Sequence, residues 1–249
     1  MTRDAQQDWW VVPAARQAPR LRLFCFPYAG GSATAYHRFG QALPADVEMV
    51  SLQVPGRGFR MREPAICELG ALLAAVEAAI APRLDRPYAL FGHSLGALVA
   101  FEIARRLRRS GRPAPVHLFA SASPAPQATH ALRVSTDLAA PEFWAGVHEL
   151  YGTPAQVLAD PELLNLVVPP LKIDVQLIAS YRYLTEPPLA TPITALIGNR
   201  DPMVDRAAAE EWRVETTAGF AVHEVPGPHL YLQDAPAELI GVVRAALAG

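Results

Sequence analysis

Lysine is nearly missing from this chain: Lys172 is the only one, and arginine supplies the rest of the 22 basic residues. The formal net charge is −2, so there is no basic excess to neutralise a phosphate backbone, which argues against a nucleic-acid binder. No run of about eighteen apolar residues occurs, so no membrane-spanning helix is expected. The opening stretch MTRDAQQDWWVVPAARQAPR lacks a basic head followed by an apolar segment, and no signal peptide is expected. Cys25 and Cys67 are the only cysteines and stand in no metal-binding or redox spacing, which favours a reducing, cytoplasmic setting. Internal repeats and low-complexity segments are also absent.

What remains is an ordinary globular balance, 51% apolar and 18% charged over 249 residues, ample for a large core. Short apolar runs alternate with helical patterns. RLRLFCF, VEMVSL, YALF, VHLFAS, PITALIG and FAVHEV read as strands; the stretches from Ser32, through ICELGALLAAVEAAIAPRL and after Ser94, read as helices. APAELIGVVRAALA closes the chain as an amphipathic helix with Pro236 in its first turn. This alternation predicts a mostly parallel sheet covered on both faces. The interval 124–190 breaks the rhythm with several helical patterns and no convincing strand. We read 1–249 as one domain whose core is 1–123 and 191–249, with a helical insertion at about 124–190 placed to act as a lid.

Within YALFGHSLGALVAFEIARRL a serine sits between two glycines where a strand gives way to a helix. G-x-S-x-G alone is weak, since about one chain in ten or twenty of this length carries it by chance. In its strand-to-helix setting it matches a nucleophile elbow, with Ser94 exposed at the strand's end beside the positive end of a helix dipole. The bland alternative is a structural tight turn.

A serine hydroxyl needs a base. His93 adjoins Ser94 on the elbow and should point away from its hydroxyl. His37, His130 and His148 fit surface or lid positions, and His117 and His223 fall in strand patterns, where a satisfied core histidine is the default. His229, in VPGPHLYLQDAP, follows a late strand at the sheet end where an elbow serine emerges. The acid should lie between serine and histidine in chain order, and Asp201 in ALIGNRDPMV follows a strand there. A turn or capping aspartate before Pro202 is the structural alternative, and Asp205 and Asp174 are rivals. Two backbone N–H groups, of Leu95 after the serine and of Ala29 in FPYAGGSA, are placed to form an oxyanion hole. That glycine loop lacks the lysine of a phosphate-binding P-loop and the spacing of a dinucleotide fingerprint.

With these residues in view the sequence resembles the type II thioesterases, α/β-hydrolases that act as stand-alone editing enzymes beside polyketide synthases and non-ribosomal peptide synthetases. LFCFPYAGGSATAYHRFGQALP, SLQVPGRGFRMREP, YALFGHSLGALVAFEIARRL, ITALIGNRDPMV and VPGPHLYL carry the likeness over nearly the whole chain. PYAGGSA and PGRG are far more specific than G-x-S-x-G. Two departures are Asn199, where many relatives have aspartate, and Phe59, where a polar residue is usual.

The resemblance implies Ser94 as nucleophile, Asp201 as acid, His229 as base and Ala29 and Leu95 as oxyanion donors. It implies hydrolysis of aberrant or stalled acyl groups from the phosphopantetheine thiol of acyl or peptidyl carrier proteins, by a monomer needing no metal or organic cofactor. Carrier proteins are typically acidic, so Arg57, Arg60 and Arg62, following a core strand, are candidates for docking them. The cluster Arg105, Arg106, Arg108 and Arg109 reads as complementing a helix C-terminus. Phe143, Trp144, Tyr151 and Tyr181 of the insertion are candidates to line an acyl channel, the alternative being the insertion's own core. Three rivals stay open: a general serine esterase, lipase or peptidase; a terminal thioesterase cut from a synthase, against which Met1 and the self-contained length speak; and an inactive interaction module on the same scaffold.

Overall fold

The computed structural model describes residues 9–131 and 161–248, with side chains over 9–128 and 167–248. Seven strands form one sheet: β1 Trp10–Val11, β2 Leu21–Phe26, β3 Val47–Leu52, β4 Tyr88–His93, β5 His117–Ser121, β6 Ile193–Gly198 and β7 Phe220–Val225. Their spatial order is β1-β3-β2-β4-β5-β6-β7; β1 runs antiparallel to β3 and every other pair is parallel. The helices are α1 His37–Ala42, α2 Leu69–Ile80, α3 Leu95–Arg109, α4 Pro161–Ser180, α5 Arg206–Glu210 and α6 Ala237–Ala246.

The central strands are apolar along their length because both faces are covered. In β2, Phe24 and Phe26 join the core under α2 and α3, while Leu21, Leu23 and Cys25 join the core under α1 and α6. In β4, Leu90 and Phe91 divide between the two faces in the same way. β7 is an edge strand, and His223 there is exposed, not in the core as its strand pattern suggested. β1 was not foreseen; two residues carry no periodicity. Trp10 anchors it, edge-on to Phe24 and Phe26 and donating its indole N–H to Ala79 O at 3.0 Å.

Parallel pairing brings the C-terminal ends of β2, β4, β5, β6 and β7 to one edge of the sheet. The register aligns Phe26 with Gly92 and His93 with Ser121. The loops carrying Ala29, Ser94, Asp201 and His229 all leave from that edge, the usual site of ligand binding in sheets of this kind. Helix α4, from the segment expected to be inserted, buries Leu171, Val175 and Leu177 in the α2/α3-side core. Among the described residues no helix is long and apolar enough to cross a membrane.

Candidate active site

The elbow is built by what its glycines lack. A Cβ on Gly96 would lie 1.9 Å from Phe26 O, and one on Gly92 would lie 2.1 Å from Gly96 O. The first turn of α3 therefore rests directly on the backbone at the end of β2. Ser94 takes up the resulting sharp bend with φ 55° and ψ −120°, and its N–H donates to Ser121 O at 2.7 Å. A non-glycine residue at positive φ costs about 1–3 kcal/mol and persists only where surrounding packing enforces it, as here.

His229 Nε2 lies 3.1 Å from Ser94 Oγ, and His229 Nδ1 lies 2.8 Å from Asp201 Oδ2. The side chains of His229 and Asp201 are 1% and 0% exposed. A carboxylate only accepts, so Nδ1 carries the ring proton of neutral His229 and Nε2 presents its lone pair to the serine hydroxyl. Asp201 divides its oxygens: Oδ1 accepts Met203 N–H at 2.8 Å while Oδ2 holds the histidine. The turn-forming role considered from sequence and the contact to His229 thus belong to one residue.

The His229 loop is fixed from outside. Asn199 Oδ1 accepts Gly227 N–H at 3.0 Å, and His93 Nε2 meets the His229 carbonyl at 2.8 Å. A carbonyl only accepts, so His93 carries its proton on Nε2 and takes the Ser121 hydroxyl on Nδ1, 2.9 Å away. Burial, assisted by His229, pushes the His93 pKa down to about 3, so this ring stays neutral. A narrow recess beside Ser94 has apolar walls of Leu95, Leu98, Ala122, Pro124, Ile178 and Met203, with Ser123 and His229 as its other polar members.

The chain matches the thioesterase domain family over residues 21–247. The chain belongs to the thioesterase family. It is 38% identical to the gramicidin S biosynthesis protein GrsT of Aneurinibacillus migulanus over 241 residues, 96% of this chain and 94% of that one. Among solved structures it is similar to the RedJ thioesterase of the prodiginine pathway in Streptomyces coelicolor (TM-score 0.85, 35% identity, 95% and 90% of the two chains). It is also similar to the type II thioesterase BorB of the borrelidin cluster (TM-score 0.83, 34% identity, 99% and 100%).

In this thioesterase the remaining sequence candidates fare differently. Ala29 and Leu95 are buried in the abutting loop and helix start, and among the described residues neither N–H has an acceptor. Arg57 and Arg60 are not surface residues: they are 7% and 8% exposed. Arg57 pairs with Asp174, itself 2% exposed, through Nη2 and Oδ1 at 2.7 Å. Arg60 binds Glu63 and donates to Gln53 O at 3.1 Å, with its guanidinium 4.7 Å from the Trp9 ring centre. The planar guanidinium can satisfy several acceptors at once, which lets these arginines fold inward. Arg62 is exposed.

Tyr181 does not line the recess; its hydroxyl donates to Glu102 Oε1 at 2.8 Å, against the flank of α3. Its place on the recess wall is taken by Ile178, one turn earlier on α4. Phe143, Trp144 and Tyr151 lie outside the described residues. Asp205 caps α5 by accepting Ala208 N–H at 2.8 Å, and His117 is a core histidine bonded to Thr194 Oγ1 at 2.8 Å. The arginines at the end of α3 are paired, Arg105, Arg108 and Arg109 with Glu186 and Arg106 with Glu77. Sequence reasoning missed the supporting parts of the site, namely His93, Ser121 and Asp174, because each is polar for a partner distant in sequence.

Proposed function

We propose that this thioesterase hydrolyses stalled or aberrant acyl groups from the phosphopantetheine thiol of acyl or peptidyl carrier proteins of a polyketide or non-ribosomal peptide assembly line. The observation that carries the reading is the continuous Ser94–His229–Asp201 hydrogen-bond chain at a strained elbow, in a chain of this family. GrsT, named as a gramicidin S biosynthesis protein, and BorB, named as a type II thioesterase of the borrelidin cluster, support the choice of substrate.

Ser94 Oγ attacks the thioester carbonyl while His229 Nε2 takes its proton. The tetrahedral oxyanion sits against Ala29 and Leu95 N–H. Its collapse breaks the C–S bond; the pantetheine thiolate leaves and receives the proton from His229, leaving Ser94 acylated. Water then gives a proton to His229 and its oxygen to the acyl carbon. Collapse of the second intermediate releases the acid, and the proton returns to Ser94. Asp201 keeps the imidazole oriented and stabilises its charged form throughout. These steps draw on no metal or organic cofactor. The proposal also takes the protein to act as a monomer in the cytoplasm, beside the synthase whose carrier-bound acyl groups it would remove.

The test compares kcat/KM on a carrier-bound acyl thioester with that on the matched oxygen ester. Strong preference for the thioester is expected, and preference for the oxygen ester would overturn the reading in favour of a general esterase. Fluorophosphonate labelling lost in Ser94→Ala is expected as well; no labelling of the parent would point to an inactive scaffold.

A further inference from the structure

We propose that Asp174 and Arg57 are positioning residues that hold the oxyanion loop in its working conformation and make that conformation depend on the seating of helix α4. The inference rests on the reading of Ala29 as an oxyanion donor.

Residues Tyr28 to Gly31 form a tight turn closed by Gly31 N–H donating to Tyr28 O at 2.8 Å, with Ala29 and Gly30 at its centre. Gly30 has φ +76°, the third-residue conformation of a type II turn. Such a turn differs from the commoner type I form by a flip of its central peptide, here the one joining Ala29 to Gly30. Asp174 Oδ2 accepts Gly30 N–H at 2.7 Å. A flip would remove that donor and turn the Ala29 carbonyl oxygen toward the carboxylate, acceptor against anion. Asp174 thereby selects one of the two turn forms; the Ala29 N–H belongs to the preceding peptide, which the flip leaves in place, and is held as part of the turn so fixed.

Asp174 is in turn held by Arg57. The guanidinium bonds both carboxylate oxygens, Nη2 to Oδ1 at 2.7 Å and Nη1 to Oδ2, and Nη1 also donates to Gly31 O at 3.3 Å. The pair grips the loop at two points, one donor and one acceptor. Gln53 fastens the far side, accepting Ala33 N–H at 3.2 Å and donating to Arg57 O at 2.8 Å. One turn before Asp174 on α4, Leu171 closes over Gly30: a Cβ there would lie 3.3 Å from Leu171 Cβ. Two residues on one face of α4 therefore meet the oxyanion loop, while Ile178 on the same helix forms a wall of the recess.

A buried ion pair gives little net stability against an apolar pair of similar size, because desolvation offsets the attraction. That makes replacement of both partners a fair test of a positioning role. Arg57→Leu with Asp174→Leu is expected to fold, with a melting temperature near the parent's. We expect kcat to fall about a hundredfold, the scale of losing one oxyanion donor, with KM within about twofold. The affinity for an alkyl boronic acid, whose tetrahedral adduct on Ser94 places an anionic oxygen in the hole, should weaken by the same factor. The milder Asp174→Asn keeps an acceptor for Gly30 N–H and loosens the ion pair; about a tenfold loss of kcat and of boronate affinity is expected, again with KM held.

Parent-like kcat and boronate affinity in a folded variant would overturn the proposal, as would a change in KM alone. If the parent itself fails to bind the boronate or to hydrolyse thioesters, the functional reading has failed instead, and the two failures are told apart by that control.

Discussion

The chain leaves the ends of β3 and β4 through two glycine-bearing turns, QVPGRGFRMRE and GHSLG, that look alike as punctuation and do opposite things. At β4 the glycines remove side chains where backbone meets backbone, and the polar residue between them, Ser94, is turned toward the recess. At β3 the glycines sit at positive φ, +83° for Gly56 and +52° for Gly58, and bend the chain so that Arg57 and Arg60 fold back into the protein. Charge suggested a docking surface there. A guanidinium with carbonyl and carboxylate partners in reach is as much at home inside. The lesson is that at a sheet edge backbone geometry, more than polarity, decides which way a side chain faces.

The sharpest way to break this comparison is to put a methyl group on a glycine of each turn. Gly96→Ala sets a Cβ 1.9 Å from Phe26 O, a clash with backbone that no rotamer relieves. We expect it to lower unfolding free energy by ~3 kcal/mol or more and to abolish turnover, since the elbow must open. Gly58→Ala meets the Gln53 amide at 2.8 Å, a side-chain end that can shift only by lengthening its bonds to Ala33 N–H and Arg57 O, and carries the φ penalty. It should cost about 1–2 kcal/mol and leave measurable activity. Urea unfolding with parallel kcat measurements decides; equal effects at the two positions would erase the distinction.

A smaller effect separates the turns by pH. Burial depresses His93 to about 3 and His117, at the start of β5, to about 4, against 6.5 unfolded. Below 6.5 the unfolded chain binds protons that the folded one refuses, so stability is complete above that pH and falls with acidification. Each histidine contributes a slope of up to about 1.4 kcal/mol per pH unit, both acting between 6.5 and about 4. His93→Gln should roughly halve the slope in that window, while Arg60→Gln at the other turn should leave it unchanged. Unfolding free energies at pH 4.5, 5.5 and 7 measure it; an unaltered slope in His93→Gln would show the ring to be protonated in the folded state.

How much of this could be read from the sequence follows from where the information sits. The parallel sheet was legible because both-face burial writes uninterrupted apolar runs, as in LRLFCF and YALF. The meeting of Ser94, Asp201 and His229 was legible because each follows a strand, and strand ends converge. The supports were not: Asp174 is one of two acids on the α4 pattern, and only its contacts with Gly30 and Arg57 across the fold distinguish it. His93 bonds Ser121 and the His229 carbonyl rather than Ser94, and nothing in sequence signals that it holds that carbonyl. Ile178 lies in the last turn of α4 and Tyr181 just past its end, and the helical pattern runs through both without saying which faces the recess.

Of the three arginines first considered for carrier docking, only Arg62 reaches solvent, and it has apolar company: Phe59 and Met61 are 60% and 55% exposed. An aromatic, a methionine and an arginine together match the composition of protein interfaces better than that of an ordinary surface. Opposite charge on a carrier would act chiefly on the encounter rate. Arg62→Glu should therefore raise KM for an acyl-carrier substrate a few-fold at low salt, with the difference shrinking as ionic strength rises above about 0.15 M. The same variant should hydrolyse a small acyl-cysteamine thioester at the parent rate, because that substrate reaches Ser94 without docking. An equal loss on both substrates would mean that the charge disturbs the turn itself, and would remove the last surface role from the β3 loop.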